Sequence, residues 1–171
     1  MAERWKPSVT VAAIASRRRD GAGSPVEYLI VEEETPEGLR LNNPAGHLDP
    51  GESPAEAVAR EALEETARTF VPDRLVGVYL ARFERPATGE DVTYLRLAFA
   101  GTAGAADPAR ALDDGIVRTL WMTIDELRAS RDRHRSSLVL RCIEDAAAGC
   151  SVPLERVVTE PSVYVPEIKR P

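Results

Sequence analysis

The chain has 171 residues, 43% of them hydrophobic and 29% charged, which suits one ordinary globular domain with a full core. Its formal net charge of −6 argues against a nucleic-acid polymer as ligand, because no basic stripe offsets phosphate repulsion. Cys142 and Cys150 are too few and too far apart for a metal knuckle or a redox pair; as reduced thiols near a helix they favour the cytoplasm.

The apolar run Val11-Ala12-Ala13-Ile14-Ala15 follows Arg4 and Lys6 as a signal-peptide core would. It is too short to cross a membrane and reads instead as the centre of a first strand over residues 8–18. A turn-rich link over residues 19–25 leads to a second strand over 26–33, and a short third is predicted over 39–42.

Ser53, Pro54 and Glu56 then stand at N-cap, N1 and N3, so a helix should begin at Pro54. On that helix Ala55, Val58, Ala59, Ala62, Leu63 and Thr66 share one face, while Glu61, Glu64 and Glu65 share another. Like-charged pairs at this spacing cost about 0.2–0.5 kcal/mol each on an isolated helix, so the acidic face calls for a cation. A hard divalent ion such as Mg²⁺, held by a few carboxylates and substrate phosphates, is the natural occupant. Arg60 lies between Glu56 and Glu64, at i−4 and i+4, and can fix the orientation of a ligand carboxylate.

Beyond the helix, strands are predicted over 75–85 and 91–100, joined through Pro86-Ala87-Thr88-Gly89-Glu90. A small, polar loop over 101–115 precedes a strand over 116–122. Thr123 and Glu126 form a second capping box, and residues 136–149 read as a longer helix stopped by Gly149. The pattern gives one domain over residues 5–150 and a Pro-containing, extended tail over 151–171, with no internal repeat. Phe83 and Tyr79 read as packing residues and His134 as exposed.

Gly46, Glu52, Arg60, Glu61, Ala62, Glu64 and Glu65 fall in register with a known signature: glycine, five residues, glutamate, seven residues, then Arg-Glu-hydrophobic-x-Glu-Glu-x-Gly-hydrophobic. The chain therefore resembles the Nudix hydrolases. Ala67 and Arg68 depart from the last two positions. Because alanine favours helix and resists positive φ, the helix is predicted to run on through Thr69 before Pro72 forces it out.

This resemblance implies an α/β protein, an α/β/α sandwich around a central mixed β-sheet, that hydrolyses a phosphoanhydride with Mg²⁺, or Mn²⁺ as a substitute. It implies Glu61, Glu64 and Glu65 as metal ligands, the Gly46 carbonyl as a further one, and Glu52 and Arg60 as supports. Glu64, Glu65 and Arg60 are the catalytic candidates. The family also recruits an acidic residue from a later loop, for which Asp113 or Asp114 is the candidate here; the general base stays open among Glu64, Glu65 and that loop.

A finer resemblance, over roughly residues 8–158, is to the phosphatase NudJ group within the family. It rests on Asn42, Pro44 to Leu48, Tyr94-Leu95-Arg96, Trp121 and Arg135-Ser136-x-Leu138-Val139. It implies nucleoside di- and triphosphates, and 4-amino-2-methyl-5-hydroxymethylpyrimidine diphosphate, as substrates. Arg96, Tyr94 and His47 are the substrate-binding candidates. Leu41 stands where that group often has tryptophan, so a stacking surface is either lost or supplied elsewhere. Two other readings compete: another small-molecule Nudix pyrophosphatase, acting in nucleotide-pool cleansing or on ADP-ribose, and a non-catalytic Nudix ligand sensor. The intact acidic trio argues against the sensor. Monomer and homodimer are both compatible with the sequence, and no membrane partner is implied.

Overall fold

The computed structural model describes residues 5–84 and 89–165. The predicted connection at Pro86, Ala87 and Thr88, and Pro166 and Pro171 of the tail, lie outside the described residues.

The first strand, β1 (Ser8–Arg18), lies in the middle of the sheet. Val11, Ala13 and Ala15 enter one core while Ala12 and Ile14 enter the other, so the run is continuously apolar because both faces are covered. Next come β2 (Val26–Thr35), β3 (Gly38–Asn42) and β4 (Ala45–His47). The helix α1 (Pro54–Thr66) is followed by β5 (Arg68–Glu84), β6 (Asp91–Ala106) and β7 (Ile116–Thr123). Helices α2 (Ile124–Ala129) and α3 (Leu138–Ala147) and the short β8 (Val152–Pro153) complete the order.

The sheet runs β3-β2-β1-β6-β5-β8, with β4 on β1 and β7 on β2. β1 and β6 are parallel from Ser8↔Tyr94 to Ala15↔Gly101, and the other pairs are antiparallel, so the sheet is mixed. On one face Val58 and Ala62 of α1 pack with Phe70 and Phe99. On the other, Leu127 of α2 and Val139 and Ile143 of α3 pack with Ile30 and Ala98. The result is the α/β/α sandwich.

Several boundaries differ from the sequence reading. β5 begins at Arg68 rather than 75, with Pro72 beside a register shift, where a residue lacking an N–H is tolerated in a sheet. β6 runs to Ala106, through what the composition marks as loop. A Cβ on Gly101 would lie 2.2 Å from the Val71 carbonyl oxygen, so this strand glycine permits close approach of backbones.

Helix α1 stops at Thr66, contrary to the predicted run through Thr69. Ala67 takes the left-handed conformation, φ 53 and ψ 28, and its N–H donates to the Leu63 carbonyl at 3.0 Å. Pairing of Arg68 with Ala106 and Phe70 with Ala103 starts the next strand at once, so tertiary pairing overrides alanine's local preference.

The tail is not simply extended. Val152 and Pro153 pair with Leu75 and Arg74, Leu154 and Val157 pack on the α1 side of the core, and residues 154–156 and 161–164 form 3₁₀ turns. The Tyr164 hydroxyl donates to Glu56 at 3.1 Å, returning the tail to the start of α1.

Candidate active site

The site is built outward from the start of α1. Ser53 Oγ accepts from the Glu56 N–H at 3.2 Å, and Glu56 Oε2 accepts from the Ser53 N–H at 2.8 Å, the reciprocal box that the sequence predicts. Fixing the helix start fixes its rotation. That rotation turns Glu61 and Glu65 towards β4.

Arg60 is the hub. Its Nε and Nη2 donate to the two oxygens of Glu52 at 3.0 and 2.7 Å, a bidentate pair. Nη1 donates to Glu61 at 2.8 Å and Glu64 at 3.1 Å, and Nη2 also reaches the His47 carbonyl at 3.0 Å. The paired guanidinium holds the Glu52 carboxyl below its ordinary range, and these acceptors raise Arg60 in turn.

Glu61 and Glu65 are pushed the other way. Burial raises both carboxyls; Arg60 opposes the effect at Glu61. Glu65, 8% exposed, accepts from the Ala45 N–H at 2.8 Å and is raised to about 8 by burial. The Ala45 bond opposes that rise, and the nearby charges of Glu61, Glu33 and Asp113 add to it. Gly46 completes the contact: a Cβ there would sit 2.1 Å from the Glu61 carboxyl carbon.

Among the described residues, no three His, Cys, Asp or Glu side chains are gathered closely enough to form a metal cage. Arg60 draws Glu61 and Glu64 to itself, and Glu65 turns back to Ala45. The donor chemistry nevertheless fits a hard cation. Carboxylate oxygens line one helix face beside the bare Gly46 backbone, and two of them carry a desolvation cost that a divalent ion would offset.

Of the two loop aspartates, the structure brings Asp113 to the helix. Its N–H donates to the Glu64 carbonyl at 3.0 Å, and its charge acts on Glu65. Asp114 is exposed, with its own N–H donating to Asp113 Oδ1 at 2.9 Å.

Across β4 from the acidic face lies a cleft of about 230 Å³, walled in part by Gly46, His47, Tyr94 and Arg96. The three substrate-binding candidates thus share one cleft. His47, Thr10 and Arg96 are neighbours across β4, β1 and β6. Burial lowers the pKa of Arg96, disfavouring its charged form.

Phe83 is not a packing residue. It is 43% exposed, lines the cleft and stacks on Tyr94 with centroids 5.4 Å apart and planes at 18°. Tyr79 does pack against the core, with its hydroxyl donating to Asp145 at 3.0 Å. Leu41 is fully buried in the core under α3, so position 41 offers no stacking surface; Phe83 and Tyr94 provide one. His134 is half-buried rather than exposed, and burial lowers its pKa.

Sequence reasoning passes over Glu33 and Thr10, both in the cleft wall. The acidic run Glu32-Glu33-Glu34 carries the signal for Glu33, since a strand with apolar neighbours cannot place successive charges on one solvated face. Glu32 is 2% exposed and pairs with Arg118 at 2.6 Å and with Arg133, whereas Glu33 turns to the cleft, 3.7 Å from Arg135. Burial raises the Glu33 carboxyl.

An α/β/α sandwich whose acidic helix face, arginine hub and glycine strand adjoin an aromatic cleft defines a Nudix-type hydrolase. The NUDIX domain family matches residues 6–141, and the chain belongs to that family. Phosphatase NudJ of Escherichia coli (strain K12) is 30% identical over 153 residues, covering 90% of this chain and 92% of that protein. A NUDIX hydrolase from Nitrosomonas europaea is similar in structure, with a TM-score of 0.77, 46% identity, and coverage of 91% of this chain and 98% of the other. The NUDIX domain of Shewanella oneidensis NrtR, solved in complex with ADP ribose, shares the fold at a TM-score of 0.65 and 15% identity, over 85% and 90% of the two chains. No helix among the described residues is long and apolar enough to cross a membrane.

Proposed function

We propose that this hydrolase cleaves phosphoanhydride bonds of nucleoside di- and triphosphates, and of 4-amino-2-methyl-5-hydroxymethylpyrimidine diphosphate, in a Mg²⁺-dependent reaction. The observation that carries this reading is the Arg60 hub, which ties Glu52, Glu61 and Glu64 together beside a strand that also walls the cleft. Similarity to Phosphatase NudJ supports a phosphatase reaction.

Glu61, Glu64, Glu65 and the Gly46 carbonyl would hold the ion, with Mn²⁺ able to replace Mg²⁺. Bound there, a divalent ion supplies phosphate charge neutralisation and a water of lowered pKa. Arg60 keeps two of the carboxylates oriented through its planar fork, and Glu52 anchors that fork from the other side. Glu64 and Glu65 are the proposed groups for proton transfer from water, with Asp113 adding negative charge beside them. His47, Tyr94 and Arg96 bind the substrate from the cleft wall. Both cysteines are free thiols, in keeping with a cytoplasmic setting.

The test is a phosphate-release screen over nucleoside di- and triphosphates, the hydroxymethylpyrimidine diphosphate and ADP-ribose, with and without Mg²⁺. A specificity constant 100-fold or more in favour of ADP-ribose, roughly 2.7 kcal/mol in transition-state binding, would overturn the substrate assignment.

A further inference from the structure

Four buried polar atoms in the cleft wall have no hydrogen-bond partner: Thr10 Oγ1, Glu33 Oε1, Asn42 Oδ1 and Arg96 Nη1. They come from four different strands, β1, β2, β3 and β6, yet meet in one cleft. Buried polar groups in native proteins are paired, so a cluster of orphans marks a place where a ligand completes the bonding. The Glu33–Arg135 contact at 3.7 Å is an ion pair too long to satisfy the Glu33 oxygen.

The character of the four atoms specifies the ligand. An ionised Glu33 oxygen and the Asn42 carbonyl oxygen only accept, Arg96 only donates, and the Thr10 hydroxyl does either. The occupant must therefore present two or more donors beside an acceptor. Phosphate carries acceptors almost alone and would be repelled by Glu33. The stacked Phe83 and Tyr94 rings at the same cleft favour a flat, π-bearing group. An amino group attached next to a ring nitrogen meets all of these demands at once.

We propose that Thr10, Glu33, Asn42 and Arg96 form a specificity subsite for an amino-substituted nitrogen heterocycle. The inference rests on the nucleotide-hydrolase reading above and adds a base preference to it. Gly46 lines this cleft and abuts Glu61, so the heterocycle lies on the cleft side of β4 and the diphosphate on its acidic side. Cytosine and adenine carry the required edge. Uracil and hypoxanthine place a carbonyl oxygen where the amino group belongs, against the Glu33 and Asn42 oxygens, and leave buried groups unpaired.

The test is calorimetric binding of CMP against UMP, and of AMP against IMP, to the full chain, with Glu33→Gln and Thr10→Val as near-isosteric variants. Binding of CMP and AMP about 10-fold or more tighter than UMP and IMP is expected. Glu33→Gln should bring the preference within about 3-fold by weakening CMP and AMP, a selective loss that general damage to the fold would not produce, whereas Thr10→Val should weaken all four ligands together, because its hydroxyl pairs with an amino or a carbonyl group alike. Equal affinities, undetectable binding of all four, a Glu33→Gln variant that keeps the full preference, or a Thr10→Val variant that binds all four as tightly as the native chain would overturn the subsite. Phosphate release is a separate readout: if neither CDP nor UDP is hydrolysed with Mg²⁺ while the CMP preference holds, the hydrolase substrate reading fails and the subsite stands.

Discussion

Glu61 and Gly46 share a space that one methyl group would fill, since a Cβ on residue 46 would come within 2.1 Å of the Glu61 carboxyl carbon. The obstructing atoms belong to the end of a flexible side chain, so Gly46→Ala displaces the carboxylate and leaves the sheet intact. Activity at limiting Mg²⁺ should fall about 10- to 100-fold, the range seen when a metal ligand loses its orienting neighbour. The thermal midpoint should move by only a few degrees. Near-normal activity at low Mg²⁺ would mean that the Glu61 position is unimportant to the ion.

Glu65 gives the pH dependence. Its folded-state pKa of about 8 lies above the ordinary carboxylate value, chiefly through burial, so its contribution to folding is complete below the unfolded value and declines as pH rises through about 8. Metal-free protein should lose stability across that window. Glu65→Gln should flatten this loss, because an amide keeps an oxygen for the Ala45 N–H without the buried charge. The same substitution should lower turnover at least about 10²-fold, as should Glu64→Gln. Mg²⁺ affinity should rise with pH up to about 8, with proton uptake by buffer measured calorimetrically. A pH-independent metal affinity would contradict the placement of Glu65 at the ion.

Arg60 separates orientation from charge. Five contacts to Glu52, Glu61, Glu64 and the His47 carbonyl exploit a planar fork that lysine lacks. Arg60→Lys should cut kcat/KM by at least about 10-fold while chemical denaturation shows a loss near 1 kcal/mol, the scale for a partly exposed pair. An equal fractional loss of activity and of folded protein would make Arg60 a structural residue only.

The legible part of this protein is local. The capping box at Ser53 and the place of Arg60 follow from spacings within one helix and the structure keeps both, whereas the division of faces shifts: Ala57 and Glu65 are buried with Val58 and Ala62, and Ala55, Ala59 and Leu63 are only partly buried. The strand cores are legible for the same reason, through apolar runs. Glu33, Thr10 and Phe83 are not, because their shared cleft is made by strands far apart in the chain. Nothing near Phe83 in sequence states that Tyr94 stacks on it; the β5–β6 pairing does. Gly101 and Gly104 mislead in the opposite direction, since loop-like composition serves close strand contact.

Ala67 is where local preference and fold conflict most openly, and its substitution pattern distinguishes them. In a continuing helix, glycine at this position would cost about 0.8–1.0 kcal/mol relative to alanine and valine somewhat less. In the left-handed conformation the order reverses. An L side chain there costs roughly 1–2 kcal/mol, glycine escapes that cost, and a β-branched residue bears more of it. Ala67 is 4% exposed, so glycine also forfeits burial of one methyl, about 0.8 kcal/mol, which largely cancels its conformational gain. Ala67→Gly should therefore leave the urea midpoint nearly unchanged. Ala67→Val should lose roughly 2 kcal/mol or more, through both strain and overpacking of a buried position. If valine proves the better tolerated of the two, the left-handed exit from α1 at Ala67 is refuted.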